Sequence, residues 1–156
     1  MMRIAALLEL TVPAIERGLA TAGRPALGDP SSAFDLTAVT IVVTGRTAEE
    51  FHRSREAVRQ QLAFYGSTPA YRPVFEVHDR GDLHPELKSR AAAGEWVEMA
   101  ELIDDEFLED VAVVGQPHEI ASMLRERLAG ITDRVSLVNN RAPDPHHFRE
   151  VVAYLP

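Results

Sequence analysis

The stretch Leu36 to Thr44, LTAVTIVVT, constrains this chain more than any other. It is rich in β-branched residues and almost continuously apolar, which predicts a strand. A strand with one face in water would alternate polar and apolar residues. This one does not, so it reads as covered on both faces, as in a parallel sheet. Gly45 ends it. Parallel strands need crossover connections, and the second clear strand, Arg134 to Val138, lies far downstream with helices between. Two parallel strands do not make a stable sheet by themselves. The chain therefore reads as part of something larger.

The helices follow from apolar spacing. Leu7, Leu8, Val12, Ile15 and Leu19 line one face of a helix over about residues 4–22. Pro13 fits only if the main helix starts near Thr11 and the first ten residues form a weaker segment. Gly23 and Pro25 mark its stop, and a Pro/Gly/Ser loop reaches Phe34. Thr47-Ala48-Glu49-Glu50 is a capping box, and Phe51, Val58, Leu62 and Tyr65 stripe the helix behind it. Ala63 to Pro73, AFYGSTPAYRP, reads as a loop. Val74 to Asp79 alternates like a strand but is too short to decide. Short helices are expected over Pro85 to Ala93 and around Trp96, Met99, Ile103 and Phe107. Val111 to Val114 is a short apolar run closed by Gly115. Pro117 opens a helix buried through Ile120, Leu124 and Leu128, with Gly130 as its C-cap. Asn139 to Pro143 is a polar loop, and Asp144-Pro145 begins a last helix with Phe148, Val151, Val152 and Leu155 inward.

Composition removes several classes of function. At 156 residues the chain is one domain by length, with 46% apolar and 26% charged residues. A net charge of −8 and a pI near 5.2 argue against nucleic-acid and anionic-membrane partners. The absence of cysteine excludes disulfides, thiolate metal sites and a thiol nucleophile, and fits a cytoplasmic protein. Glu9 breaks the first apolar run, so no signal peptide is expected, and no run reaches the roughly 20 residues of a membrane span.

The chemistry-bearing patterns are sparse. Eight carboxylates lie between Glu95 and Asp110, with no Lys or Arg from residue 91 to residue 124. Their spacing is that of a solvated helix face and lacks a calcium loop. His78 and His84 flank Asp79 and Asp82, and His146 and His147 are adjacent, but no H-E-x-x-H occurs; no metal site is expected. No G-x-G-x-x-G, phosphate loop or G-x-S-x-G is present. His78 reads as a cofactor-facing or general-acid histidine, against the commoner surface histidine. In AFYGSTPAYRP the aromatic faces and hydroxyls suit a planar heterocycle, and Arg72 suits an anion. A plain structural turn explains the same residues equally well.

That stretch also carries a resemblance. Thr40 to His78, TIVVTGRTAEEFHRSREAVRQQLAFYGSTPAYRPVFEVH, resembles the C-terminal part of luciferase-like monooxygenases, most closely the branch using a deazaflavin coenzyme. The similarity continues through WVEMAELIDD at Trp96 to Asp105, through Gly115-Gln116-Pro117-His118-Glu119, and through DRVSL at Asp133 to Leu137. The resemblance implies an α/β fold: the C-terminal portion of a TIM (β/α)8 barrel, truncated to the last two βα units and a helical insertion, as a single partial domain over residues 1–156. Leu36 to Thr44 would be strand seven and Arg134 to Val138 strand eight. It further implies an oxidoreductase, transferring hydride or monooxygenating a small organic substrate with coenzyme F-420 or, alternatively, FMN. Tyr65, Ser67, Tyr71, Arg72 and His78 would line its cofactor or substrate pocket near the barrel mouth, with no acid or base assigned. A homo-oligomer, or association with a complementary barrel part, is expected. The alternatives are a non-catalytic barrel remnant and a small stand-alone ligand-binding domain. Where the family has Gly-Thr-Pro-Glu-Glu, Gln116 replaces the threonine, and a good N-cap is expected to be lost. His78-Asp79-Arg80 stands where the family has His-Gly-Trp.

Overall fold

A computed structural model describes residues 5–139 and 146–155 of the chain. The apolar strand forms as β1, Thr37–Val43, and sits at the centre of the sheet. It pairs in parallel with β3, Arg134–Val138, from Thr37↔Arg134 to Ile41↔Val138. On its other side a third strand, β2 (Val113–Val114), pairs in parallel with Val42 and Val43 only. The sheet order is β2-β1-β3. The sequence reading had two strands and took Val111 to Val114 for an apolar run; two residues are too few for alternation to register.

Ahead of the sheet, a wide helical turn at Ala6–Thr11 runs into α1, Val12–Thr21, with Pro13 in its first turn. After β1 comes α2, Ala48–Ser67, whose capping box forms as expected: Thr47 Oγ1 accepts from the Glu50 N–H at 3.1 Å, and Glu50 Oε2 accepts from Thr47 N–H at 3.2 Å. Then follow α3 (Arg72–Glu76), α4 (Leu83–Ala93), α5 (Trp96–Glu101) and α6 (Asp105–Val111). Next is α7, Pro117–Leu128. Its Gln116 N–H is met by Glu119 Oε2 at 2.7 Å, so the helix start keeps a cap despite the missing threonine. The last helix, α8, is His146–Ala153. The expected Asp144-Pro145 cap and the loop from residue 140 lie outside the described residues.

One expectation is corrected and one open reading is resolved. AFYGSTPAYRP, read as a loop, is mostly helical. Its first half is the last turn of α2, Pro69–Tyr71 is a short 3-10 turn, and Arg72 begins α3. Prolines at both junctions start helical turns as readily as they bound a loop. Residues 74–79 are accordingly helix and turn, not strand.

Apolar packing falls into two clusters that meet at β1. Val43 belongs to a cluster with Val58 and Leu62 of α2, Phe75, Leu87, Met99, Ile103 and Phe107. Its neighbour Val42 points to the opposite side, with Ala38, Val113, Ile120, Leu124, Leu128 and Val151. Alternation along a strand separates them, and each fully buried valine contributes about 1.5–3 kcal/mol. The helices therefore cover the Ala38/Val42 face, backed by Val135 and Leu137 of β3. The other face is covered only at its upper end. Lower down, Val39 is 70% exposed, and Thr37, Arg134 and Ser136 beside it are exposed too.

Candidate functional site

AFYGSTPAYRP lies at the end of α2 remote from Gly45, about 30 Å along the helix by its 20 residues. Its side chains are occupied locally. The Tyr65 and Tyr71 rings stack at 4.6 Å, and Gln61 Nε2 donates to the Tyr65 hydroxyl at 3.0 Å. Ser67 Oγ donates back to the Phe64 carbonyl at 2.7 Å, and Arg72 Nε donates to Glu76 at 2.8 Å on the surface. Gly66 is buried where a Cβ would stand 2.5 Å from Leu87 Cδ1 and Phe75 Cζ. Its carbonyl lies 2.6 Å from His84 Nδ1. Tyr65, Ser67, Tyr71 and Arg72 thus gather at one helix end, while His78 lies apart from them.

His78 stands at a cleft of about 310 Å³ that runs along β1. Sharp chain reversal puts it there. Asp79 takes φ 57°, a left-handed conformation that ends the α3 turn, and Arg80 N–H donates to the Phe75 carbonyl at 2.8 Å. The imidazole is left buried, edge-on to Phe107 at 5.8 Å, with Nδ1 3.9 Å from Asp110 Oδ2. That separation is too long for a hydrogen bond. Leu36 to Ile41 form one wall of the cleft; Val74, Val111, Val113, Leu124 and Leu128 add apolar surface, and Arg127 of α7 a guanidinium. Burial pushes that guanidinium below its ordinary pKa, against the opposing pull of Glu126. A broader polar cleft of about 720 Å³ shares His78, Asp110 and Arg127 and adds Arg80, Glu106 and Glu109. Arg80 is already bound to Asp104 and Glu106. Among the described residues no group of three or more His, Asp or Glu is placed to hold a metal ion. The arrangement can hold and orient a small or extended group against an apolar wall; it carries no nucleophile–base pair.

A second polar centre ties the C-terminal ends of the strands together. Ser54 Oγ accepts from Thr44 N–H at 3.2 Å and from Asn139 Nδ2 at 3.0 Å, and Asn139 Nδ2 also donates to the Val42 carbonyl at 3.1 Å. All three side chains are buried. Arg46 and Glu150 pair outside it, with Nε donating at 3.1 Å. Thr44 and Asn139 entered the sequence reading only as a strand end and a loop start, and Ser54, Arg46 and Glu150 were not singled out there. Ser54 was visible there as a polar residue on the Phe51/Val58/Leu62 stripe; Asp110 was hidden in a run of carboxylates that looked uniformly solvated.

No helix among the described residues is long and apolar enough to cross a membrane. The chain is 50% identical over 129 residues to an uncharacterized protein of Mycobacterium bovis (strain ATCC BAA-935 / AF2122/97). It has the same identity over the same length to uncharacterized proteins of Mycobacterium tuberculosis strains CDC 1551 and H37Rv. Each match covers 83% of this chain and 36% of the relative, so the chain spans about a third of the length of the curated relatives it matches. A family model described as luciferase-like monooxygenase matches residues 3–134.

Proposed function

This chain belongs to the luciferase-like monooxygenase family, and from that premise we propose that it is the C-terminal portion of a cytoplasmic flavin-type oxidoreductase. The observation that carries this is the family match over residues 3–134 on a chain whose strands pair wholly in parallel. In this reading β1 and β3 are the last two strands of a (β/α)8 barrel, and α2 to α6 are the insertion between them. The whole protein transfers hydride to, or monooxygenates, a small organic substrate, and the coenzyme is deazaflavin F-420, with FMN the alternative. The bound coenzyme supplies the redox chemistry.

The described residues suit one part of such a coenzyme and not the other. The wall from Leu36 to Ile41 with Val74 and Val113 suits the face of a planar ring. A phosphate-bearing tail is not met here. The rim sets Glu106, Glu109 and Asp110 against Arg80 and Arg127, and Arg80 is engaged by carboxylates. Its binding belongs to residues outside this chain. Tyr65, Ser67, Tyr71 and Arg72 remain candidates for substrate contact through the face they present to the rest of the protein; His78 is the candidate inside the cleft.

The test is a fluorescence titration of F-420 and FMN against this chain, and against this chain co-expressed with the part of a mycobacterial relative outside the matched 129 residues. Binding by the pair and not by the chain alone is expected. Failure of the pair to bind either coenzyme sinks the reading. The bare lower face of the sheet, with Val39 at 70% exposure, favours a second reading as a non-catalytic association module.

A further inference from the structure

We propose that the cavity between α2 and α5, walled by the rings of Phe64 and Trp96, binds an alkylated ammonium ion: a small organic cation that carries its charge inside a shell of methyl groups. The site shares no residue with either cleft at His78, and the inference does not depend on the coenzyme reading.

Local sequence builds the site. Gln60 and Phe64 are four apart on α2, and Trp96 and Met99 are three apart on α5, so each pair shares a helix face. Gly94, at φ 78°, ends α4 in a left-handed turn, and the reversal returns Trp96 to the side of α2. These four side chains line a cavity of about 300 Å³. Met99 is buried and forms its floor. The Phe64 and Trp96 ring centroids are 6.5 Å apart and their planes are inclined at 43°, so the two rings form an open wedge. They are 51% and 53% exposed. The row continues through Tyr65, 6.1 Å from Phe64, to Tyr71 stacked on Tyr65. Single exposed apolar side chains are ordinary on a protein surface. A contiguous aromatic row flanking a cavity marks a binding surface.

Charge and chemistry select the occupant. None of the four lining side chains is charged. Glu95 and Glu98 flank Trp96, and no Lys or Arg occurs from residue 91 to residue 124. Arg90 is held by Glu86 at 2.7 Å and lies 3.8 Å from Glu95. Arg59, next to Gln60, is held by Glu56 and Asp105. Carboxylates thus outnumber guanidinium groups around the cavity, on a chain of −8, and disfavour an anion. A bare ammonium or a metal ion would lose its water and find only the Gln60 amide in exchange. A neutral ring would gain apolar contact and nothing from the charge. An alkylated ammonium ion uses both. Its methyl groups pack on Met99 and the rings, and its charge lies within about 6 Å of two ring centroids, the reach of a cation–π attraction for which Trp is the best partner.

Trp96 is the chain's sole tryptophan, so its emission reports on the site directly. The experiment titrates this chain with choline, and with the uncharged dimethylbutanol in which carbon replaces the nitrogen, at constant ionic strength. A saturable change in Trp96 fluorescence is expected, with choline bound roughly five-fold or more tightly than the uncharged isostere. Phe64→Leu keeps apolar bulk and removes one ring; it is expected to weaken choline about three-fold or more and to leave the isostere unchanged. Glu95→Gln/Glu98→Gln is expected to weaken choline roughly two-fold or more, again without moving the isostere. All three positions are exposed, so the variants are expected to keep the fold, with circular dichroism as the check. The proposal is overturned by equal affinity for the two probes, by no saturable response below about 100 mM, or by a Phe64→Leu chain that binds choline as the parent does. It is equally overturned by a homodimer, seen in light scattering, that buries Trp96 and abolishes the response.

Discussion

A methyl group added at Gly66 would lie 2.5 Å from both Leu87 Cδ1 and Phe75 Cζ, two side chains buried in the same cluster. Gly66→Ala is expected to cost about 1–3 kcal/mol by overpacking, read as a shift in the urea midpoint without a change in slope. Gly45→Ala meets backbone instead: Phe51 N at 2.5 Å and Glu50 C at 2.8 Å. Main chain at a helix start cannot step aside as a side-chain end can, so the loss at Gly45 should exceed that at Gly66; an equal or smaller loss contradicts the tight β1–α2 turn. Ser54→Ala leaves the Thr44 N–H without its acceptor in a buried position and removes one of the two acceptors of Asn139 Nδ2. About 2 kcal/mol is expected from the unmet donor. Because Asn139 shares the network, the double variant Ser54→Ala/Asn139→Ala should lose less than the sum of the single losses.

At the scale of elements, β1 was legible as a strand because it is rich in β-branched residues, but the two-sided covering its lack of alternation implied holds only at its upper end, where Val42 and Val43 are both fully buried, and not lower down, where Val39 is 70% exposed. The α2 start was legible because Thr47 and Glu50 are local partners. The turn at Ala63 to Pro73 was misread for a physical reason. Pro69 and Pro73 sit in the first turn of a 3-10 and an α-helical segment, positions that tolerate a missing N–H, and the residue string alone does not distinguish that use from a loop boundary. β2 escaped because two residues pair through tertiary placement rather than pattern. Of the five site candidates, four proved to share one helix end and the fifth, His78, reached a cleft only through the left-handed Asp79, which no spacing rule announces. The β1 register makes its own prediction. In the free chain the Ala38 and Thr40 amides, turned toward β3, should exchange slowly, and the Thr37 and Val39 amides quickly, giving a period of two in hydrogen-exchange NMR. Uniform protection from Thr37 to Ile41 would contradict an edge that β2 leaves open below Val42.

For the whole molecule, charge bears on where the coenzyme proposed above would be held. The chain carries −8, and its cleft rim adds Glu106, Glu109 and Asp110 close to His78 and Arg127. The carboxylates of α6 are partly neutralised, since Arg55 bridges Asp105 and Glu109 and Arg59 also holds Asp105. What remains is still an acidic surface, and exposed charges act over roughly 10 Å at 0.1 M salt. If the phosphate-bearing tail lay against this rim, added salt would screen repulsion and tighten binding. If it lies on cationic groups contributed by the rest of the protein, added salt weakens binding. The second outcome is expected for the co-expressed pair: a dissociation constant rising by roughly three-fold or more between 50 and 500 mM salt, as cationic contacts to phosphate are screened. Glu109→Gln should then change the coenzyme affinity little, because that carboxylate faces Arg55 rather than the tail. Tightening with salt, together with a gain in affinity from Glu109→Gln, would instead locate the tail on this chain and reverse the division of labour between the two parts.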